Sequence, residues 1–172
     1  CTVGWHVDDL RISHVEPEVV EQIIALMEAE FGKEAPLTVS RDRVHEYLGM
    51  KFDFTDSGAV TVDMSDYVKS VIADMPPEMV GKAATPAADH LFQVRESAPW
   101  ISQDKADTYH KIVMQLQYLS QRARPDIRTA ISFLCKRVSA PDLDDYKKLT
   151  RVMRYLQSTV YLKLKLESDG SG

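Results

Sequence analysis

Two neighbouring carboxylates, Asp8 and Asp9, lie between short apolar runs in Trp5-His-Val-Asp-Asp-Leu-Arg-Ile-Ser13. The apolar and β-branched residues on either side predict two strands, with the acids at the tight turn between them. Such a turn pushes both carboxylates out of a sheet edge together. Two ionised carboxylates about 4 Å apart repel by roughly 4 kcal/mol at an effective dielectric of about 20. The pair therefore either meets solvent or holds a divalent cation, which prefers hard oxygen ligands. Spacing alone leaves both readings open.

A second group is cationic. Lys147, Arg151 and Arg154 follow i, i+4, i+7 spacing on a predicted helix, opposite its apolar stripe. They make either a solvated face or a track for phosphates, whose binding would release counterions and depend on salt. Arg122, Arg124 and Arg128 cluster at a predicted inter-helix turn, where Arg122 and Arg124 also suit a helix C-terminus. The five His residues include His6 and His14 beside the acid turn, but no HxxxH or Cys/His grouping occurs. Neither a Gly-rich phosphate loop nor a GxSxG elbow is present, so nucleotide-fold and hydrolase readings have no support.

The elements that must position these groups follow from periodicity. After the hairpin, Val20, Ile23, Met27 and Phe31 predict the buried face of a helix packed on a sheet, with Pro17 in its first turn and Gly32 at its end. Glu21 and Glu28 point outward, and Glu16 and Glu18 complement the helix dipole. Val44 to Phe54 and Val60 to Met64 read as strands joined through the loop from Thr55 to Gly58. Ser65 is the expected cap of a short helix lined by Val68, Val71, Ile72 and Met75, and Pro76-Pro77 stops it.

Weak periodicity from residue 76 to 103 predicts an extended connection. Three helices follow. The first is lined by Tyr109, Ile112, Val113, Leu116 and Leu119, and the second by Ile127, Ala130, Ile131, Leu134 and Val138. The third has Asp142 as its cap and Leu143, Tyr146, Leu149, Met153 and Leu156 as its stripe. Val160 to Leu166 reads as a strand that leads out of the bundle and has lost, or never had, its sheet. The expected fold class is α+β, with antiparallel hairpins and packed helices, a three-helix bundle and a terminal strand.

The chain has 172 residues and a net charge of −5, enough length for one large or two small domains. Through Asp104 it carries 8 Lys and Arg against 19 Asp and Glu, a net of −11; from Lys105 onward it carries 13 against 7, a net of +6. That segregation fits either two differently solvated surfaces or acids for a cation and a basic face for a polyanion. No apolar run approaches the ~20 residues that cross a bilayer, so no membrane partner is expected. Cys1 and Cys135 lack CxxC spacing and are expected to be reduced thiols of an intracellular protein. The Cys start, in mid-strand by this reading, suggests a fragment of a longer protein.

Taken in order, Trp5 to Ser13, Tyr47-Leu-Gly-Met50, Asp66-Tyr67-Val-Lys, Thr85-Pro86, Tyr109 to Ile127 and Arg151 to Thr159 resemble the reverse transcriptase of copia-type LTR retrotransposons. The resemblance runs from about residue 3 to about residue 166. It implies the C-terminal part of a polymerase palm over 1–75, a connection over 76–103, and a thumb-like bundle over 104–158. Residues 159–172 would lead toward a ribonuclease H domain whose catalytic acids are absent. It implies an RNA-directed DNA polymerase of the intact polyprotein, a nucleotidyltransferase using Mg²⁺ or Mn²⁺. Asp8 becomes the principal metal ligand and Asp9 its neighbour. The stretch Tyr47, Leu48, Gly49, Met50 becomes a hairpin near the primer end. Lys147, Arg151, Arg154, Arg122 and Arg124 become contacts to the nucleic acid.

The implied partners are an RNA template with its DNA primer, a dNTP, and the rest of the polyprotein, including fingers, integrase and ribonuclease H. The implied location is a cytoplasmic particle, with the nucleus as an alternative. His6 stands, near the nucleotide, where the family usually has tyrosine. The fingers and the palm strand that carries a further metal-binding aspartate are missing, so the chain by itself is expected to be inactive. The alternative is a non-catalytic nucleic-acid-binding remnant or a decayed, domesticated fragment.

Overall fold

Two-residue turns at Val7–Asp8 and at Leu48–Gly49 each set the register of a hairpin in the computed structural model, which describes residues 1–56 and 58–169. The chain divides into two compact units, 1–42 and 43–172.

In the first unit, β1 (Thr2–His6) pairs antiparallel with β2 (Asp9–Ser13), closed by the His6 and Asp9 pair. Helix α1 (Pro17–Phe31) has Pro in its first turn, as expected, and Arg41 forms an ion pair with Glu21 at 2.7 Å. The expected buried face is not realised. No residue of α1 is buried, and Phe31 is 58% exposed. Gly32 ends the helix in right-handed conformation at φ −62°, not in the left-handed one. Its amide donates to the Glu28 carbonyl at 2.9 Å, which continues the helical pattern without the αL residue that favours glycine.

The second unit holds one four-stranded antiparallel sheet, in the order β3 (Val44–Tyr47), β4 (Met50–Asp53), β5 (Ala59–Asp63), β6 (Leu164–Glu167). The run from Val44 to Phe54, expected as one strand, is a hairpin. Leu48 and Gly49 both take positive φ, +52° and +68°, the requirement of a type I′ turn whose twist matches the strands. The terminal strand, expected without a sheet, pairs with β5 through Val60 and Leu166 and through Val62 and Leu164. Alternation along both strands makes this possible, although about a hundred residues separate them in sequence, beyond the reach of any local pattern.

Four helices cover the core of this unit. They are α2 (Ser65–Ala73), α3 (Gln103–Arg122), α4 (Arg128–Cys135) and α5 (Leu143–Ser158). Ser65 does not cap α2 with its side chain; Asp63 instead accepts the Ser65 N–H at 2.7 Å. Asp142 does cap α5, in a reciprocal capping box with Asp145. The bundle stripes are buried as expected, from Tyr109 to Leu119 on α3 and from Tyr146 to Leu156 on α5. Val62, Met64, Val68 and Val71 join them in one hydrophobic cluster, so β5, α2 and the bundle share a single core. The 76–103 segment contains a short 3₁₀ turn, Pro77–Met79, and is anchored to that core by Met79 and Leu91. Most of its residues are exposed, which explains its weak periodicity.

Asp63 ties the returning strand to this core. Partial burial opposes its ionisation, yet the Lys163 ammonium at 2.8 Å, with the Ser65 hydroxyl and amide, outweighs it and holds the carboxyl at about 2. A carboxyl depressed on folding stabilises the protein above its ordinary value and loses that contribution as pH falls through about 2. Asp63→Asn is expected to cost about 1–2 kcal/mol in urea denaturation at neutral pH, and to differ little from the parent near the acid end of that window.

Candidate functional site

The acid pair sits on a hairpin that projects its tip into solvent. Asp8 is the second residue of the turn, and Asp9 opens β2 opposite His6; all three are exposed. Val7, the first turn residue, has φ +50°. A β-branched side chain in that region is strained by about 1–3 kcal/mol. Trp5 offsets part of this by donating its indole N–H to the Val7 carbonyl at 2.7 Å, which pins the tip from the side.

Two adjacent carboxylates offer the hard oxygen donors that Mg²⁺ or Mn²⁺ prefers. Among the described residues no group of three or more His, Cys, Asp or Glu could complete such a site.

The turn at Leu48 and Gly49 belongs to the second unit and is held by α3. Tyr118 donates its hydroxyl to the Leu48 carbonyl at 2.6 Å. The Arg122 guanidinium lies 3.7 Å from the Tyr118 ring centroid, and the Tyr67 ring is 5.4 Å away on α2. Burial, with the neighbouring Tyr118, pushes the Tyr67 phenol up. Arg122 is thus brought beside the Tyr47–Met50 hairpin, with its cationic head stacked on an aromatic face. Tyr118 lies within the Tyr109 to Ile127 stretch, but nothing local in the sequence links it to Leu48.

On α5, Lys147 is exposed and lies 3.6 Å from Asp144. Arg151 and Arg154 turn toward the 76–103 segment. Arg151 donates to the Thr85 carbonyl at 3.2 Å and to its hydroxyl at 2.9 Å, and Arg154 donates to the Glu78 carbonyl at 3.2 Å. Gly81 makes room for Arg154: its φ is +150°, and a Cβ there would lie 2.9 Å from Nε. These two arginines are therefore partly committed to bracing a loop.

Arg124 is a correction. Expected at a nucleic-acid surface, it is 2% exposed. Its guanidinium binds Asp126 at 2.8 Å and the Thr159 carbonyl and hydroxyl at 2.9 and 2.8 Å. Asp126 is held low because Arg124 and the Tyr155 hydroxyl outweigh the opposing effect of burial. With its nitrogens so engaged and no surface to offer, Arg124 locks the corner between α3 and α4 to the end of α5. Arg128 is exposed on the first turn of α4.

The chain is similar to a transposon protein. Over 168 residues it is 24% identical to a putative transposon Ty5-1 protein of Saccharomyces cerevisiae, covering 96% of this chain and 52% of that protein. Over 156 residues it is 26% identical to an uncharacterized mitochondrial protein of Arabidopsis thaliana, covering 91% of this chain and 61% of that protein. The chain spans between about half and three-fifths of the length of these curated relatives. No family model and no solved structure matches. Among the described residues no helix is long and apolar enough to cross a membrane.

Burial of Arg124 makes a sharp distinction among the cations. Arg124→Ala removes the donors to the Thr159 carbonyl and hydroxyl, while Asp126, partly exposed and still bonded to Tyr155, stays solvated; the change is expected to cost about 1–3 kcal/mol in thermal or urea unfolding. Lys147→Ala is expected to change stability by no more than about 0.5 kcal/mol.

Proposed function

We propose that this chain is a palm-and-thumb portion of a retrotransposon reverse transcriptase, an RNA-directed DNA polymerase. The observation that carries the reading is the exposed Asp8 and Asp9 pair at a strained hairpin tip, in a chain collinear with a transposon protein over 96% of its length. In this reading Asp8 and Asp9 supply carboxylate oxygens to Mg²⁺ or Mn²⁺. The chemistry such ions supply when bound is activation of the primer 3′-hydroxyl and stabilisation of the departing pyrophosphate. Val7 and Trp5 hold the two acids at the tip, and His6 lies opposite Asp9, toward the incoming dNTP. The Leu48 and Gly49 turn, fixed by Tyr118, faces the primer end. Arg122, Lys147, Arg151 and Arg154 provide positive charge toward the template-primer phosphates, and the rest of the polyprotein supplies what completes the active site.

Two measurements test this. Mn²⁺ is expected to broaden the amide signals of Asp8 and Asp9 selectively in NMR spectra, and Asp8→Asn with Asp9→Asn is expected to abolish the effect. An RNA–DNA duplex is expected to bind with an affinity that falls steeply with salt. The chain by itself is expected to extend no primer, since its two carboxylates lack a third partner among the described residues. Salt-dependent duplex binding without Mn²⁺ broadening would favour a non-catalytic nucleic-acid-binding remnant. Absence of both would overturn the proposal.

A further inference from the structure

The cationic face of α5 borders a cleft. A cavity of about 800 Å³ lies between the 82–95 segment and α5, within the range of about 300–1,000 Å³ usual for small-molecule sites. Lys82, Arg95, Lys147, Lys148, Arg151 and Arg154 line it against one carboxylate, Asp144.

That carboxylate is already shared, at 2.9 Å from Arg95 and 3.6 Å from Lys147. Lys148 turns to the Gln93 carbonyl at 2.6 Å and to Asp145 at 3.9 Å. Among the described residues no carboxylate pairs with Lys82, Arg151 or Arg154. Arg151 finds only the uncharged oxygens of Thr85, and Arg154 only the Glu78 carbonyl. A concave, partly apolar wall focuses the field of such uncompensated charge. The excess is local, because the whole chain carries a net −5.

The 82–95 segment adds apolar surface to this lining, from Pro86, Ala87, Leu91 and Val94. Cations from both elements beside apolar surface suit a ligand with a phosphate chain and a flat ring or sugar. A duplex presents its phosphates on a convex, stiff surface; a concavity of this size instead admits a flexible chain.

We propose that this cleft binds a chain of two or more phosphates, as borne by a nucleoside triphosphate or by a single nucleic-acid strand. Lys82, Lys147 and Arg151 contact the phosphate oxygens, and Pro86, Leu91 and Val94 flank the base or sugar. The site shares cations with the duplex contact proposed above and deepens that reading, but its probes contain no duplex, so the two fail separately.

The test is calorimetric titration of the chain with sodium tripolyphosphate in the absence of divalent ions, followed by displacement with ATP or with a short single-stranded oligonucleotide. One tripolyphosphate per chain is expected, with affinity falling as salt rises. Lys82→Ala combined with Lys147→Ala is expected to weaken binding about tenfold, whereas Lys69→Ala, a surface cation outside the cleft, leaves it unchanged. Tripolyphosphate is also expected to raise the melting temperature of the parent chain, a readout independent of the variants. Displacement by the oligonucleotide alone assigns the site to a strand, and displacement by ATP alone to a free nucleotide. No saturable binding of tripolyphosphate, or equal weakening by Lys69→Ala, overturns the proposal. Duplex binding that persists without tripolyphosphate binding overturns the cleft alone.

Discussion

Burial of one face of α3 is the constraint on which the second unit depends. Ile112, Val113, Leu116 and Leu119 are buried there against α2, α4 and α5. Each such side chain contributes about 1.5–3 kcal/mol relative to exposure. On the same helix Tyr109 is fully buried and donates its hydroxyl to the Leu134 carbonyl at 3.0 Å; burial pushes its phenol upward and keeps it neutral. Tyr118 stands at the edge of the buried face and carries its order out to the Leu48 turn. The candidate primer-proximal hairpin is therefore only as well placed as the core packing of α3.

Buried charge is the second organising element, and it decides how many cations are left for ligands. Arg137 binds Asp145 at 2.9 Å and Asp142 at 3.2 Å, while the same acids cap α5. Charges in such a network must stay matched, since removal of one partner leaves another uncompensated in a poor solvent. Arg124 and Arg137 are spent in this way. Lys147, Arg151 and Arg154 line the cleft, where the two arginines also brace Thr85 and Glu78, so the positive half of the chain grades from cations that hold the fold to cations at a surface.

The first unit is organised by local bonds. None of its residues is buried, and Val15 and Leu26 are 92% and 72% exposed. Its hairpin is shaped by the strained Val7 and the Trp5 indole, and α1 is steadied by Arg41 on Glu21 and by the Leu37 amide on Glu28 at 3.0 Å. The placement of Asp8 and Asp9 at the tip follows from that two-residue turn.

Much of this was legible in residue order. Helical spacing named nearly every buried apolar position of α3, α4 and α5, because an apolar stripe seen by a core must recur every three or four residues. The Asp142 cap and the acid-bearing hairpin were equally local, since caps and tight turns are settled by neighbours in sequence. Pairings between distant segments were not. The joining of β6 to β5, the hydrogen bond from Tyr118 to Leu48, and the burial of Arg124 beside Thr159 each depend on which surfaces meet after collapse. An arginine carries the same charge in a cleft as in a core. Only the folded neighbourhood, by supplying or withholding partners for its donors, makes Arg124 a buried brace and leaves Lys147 at the surface beside Asp144.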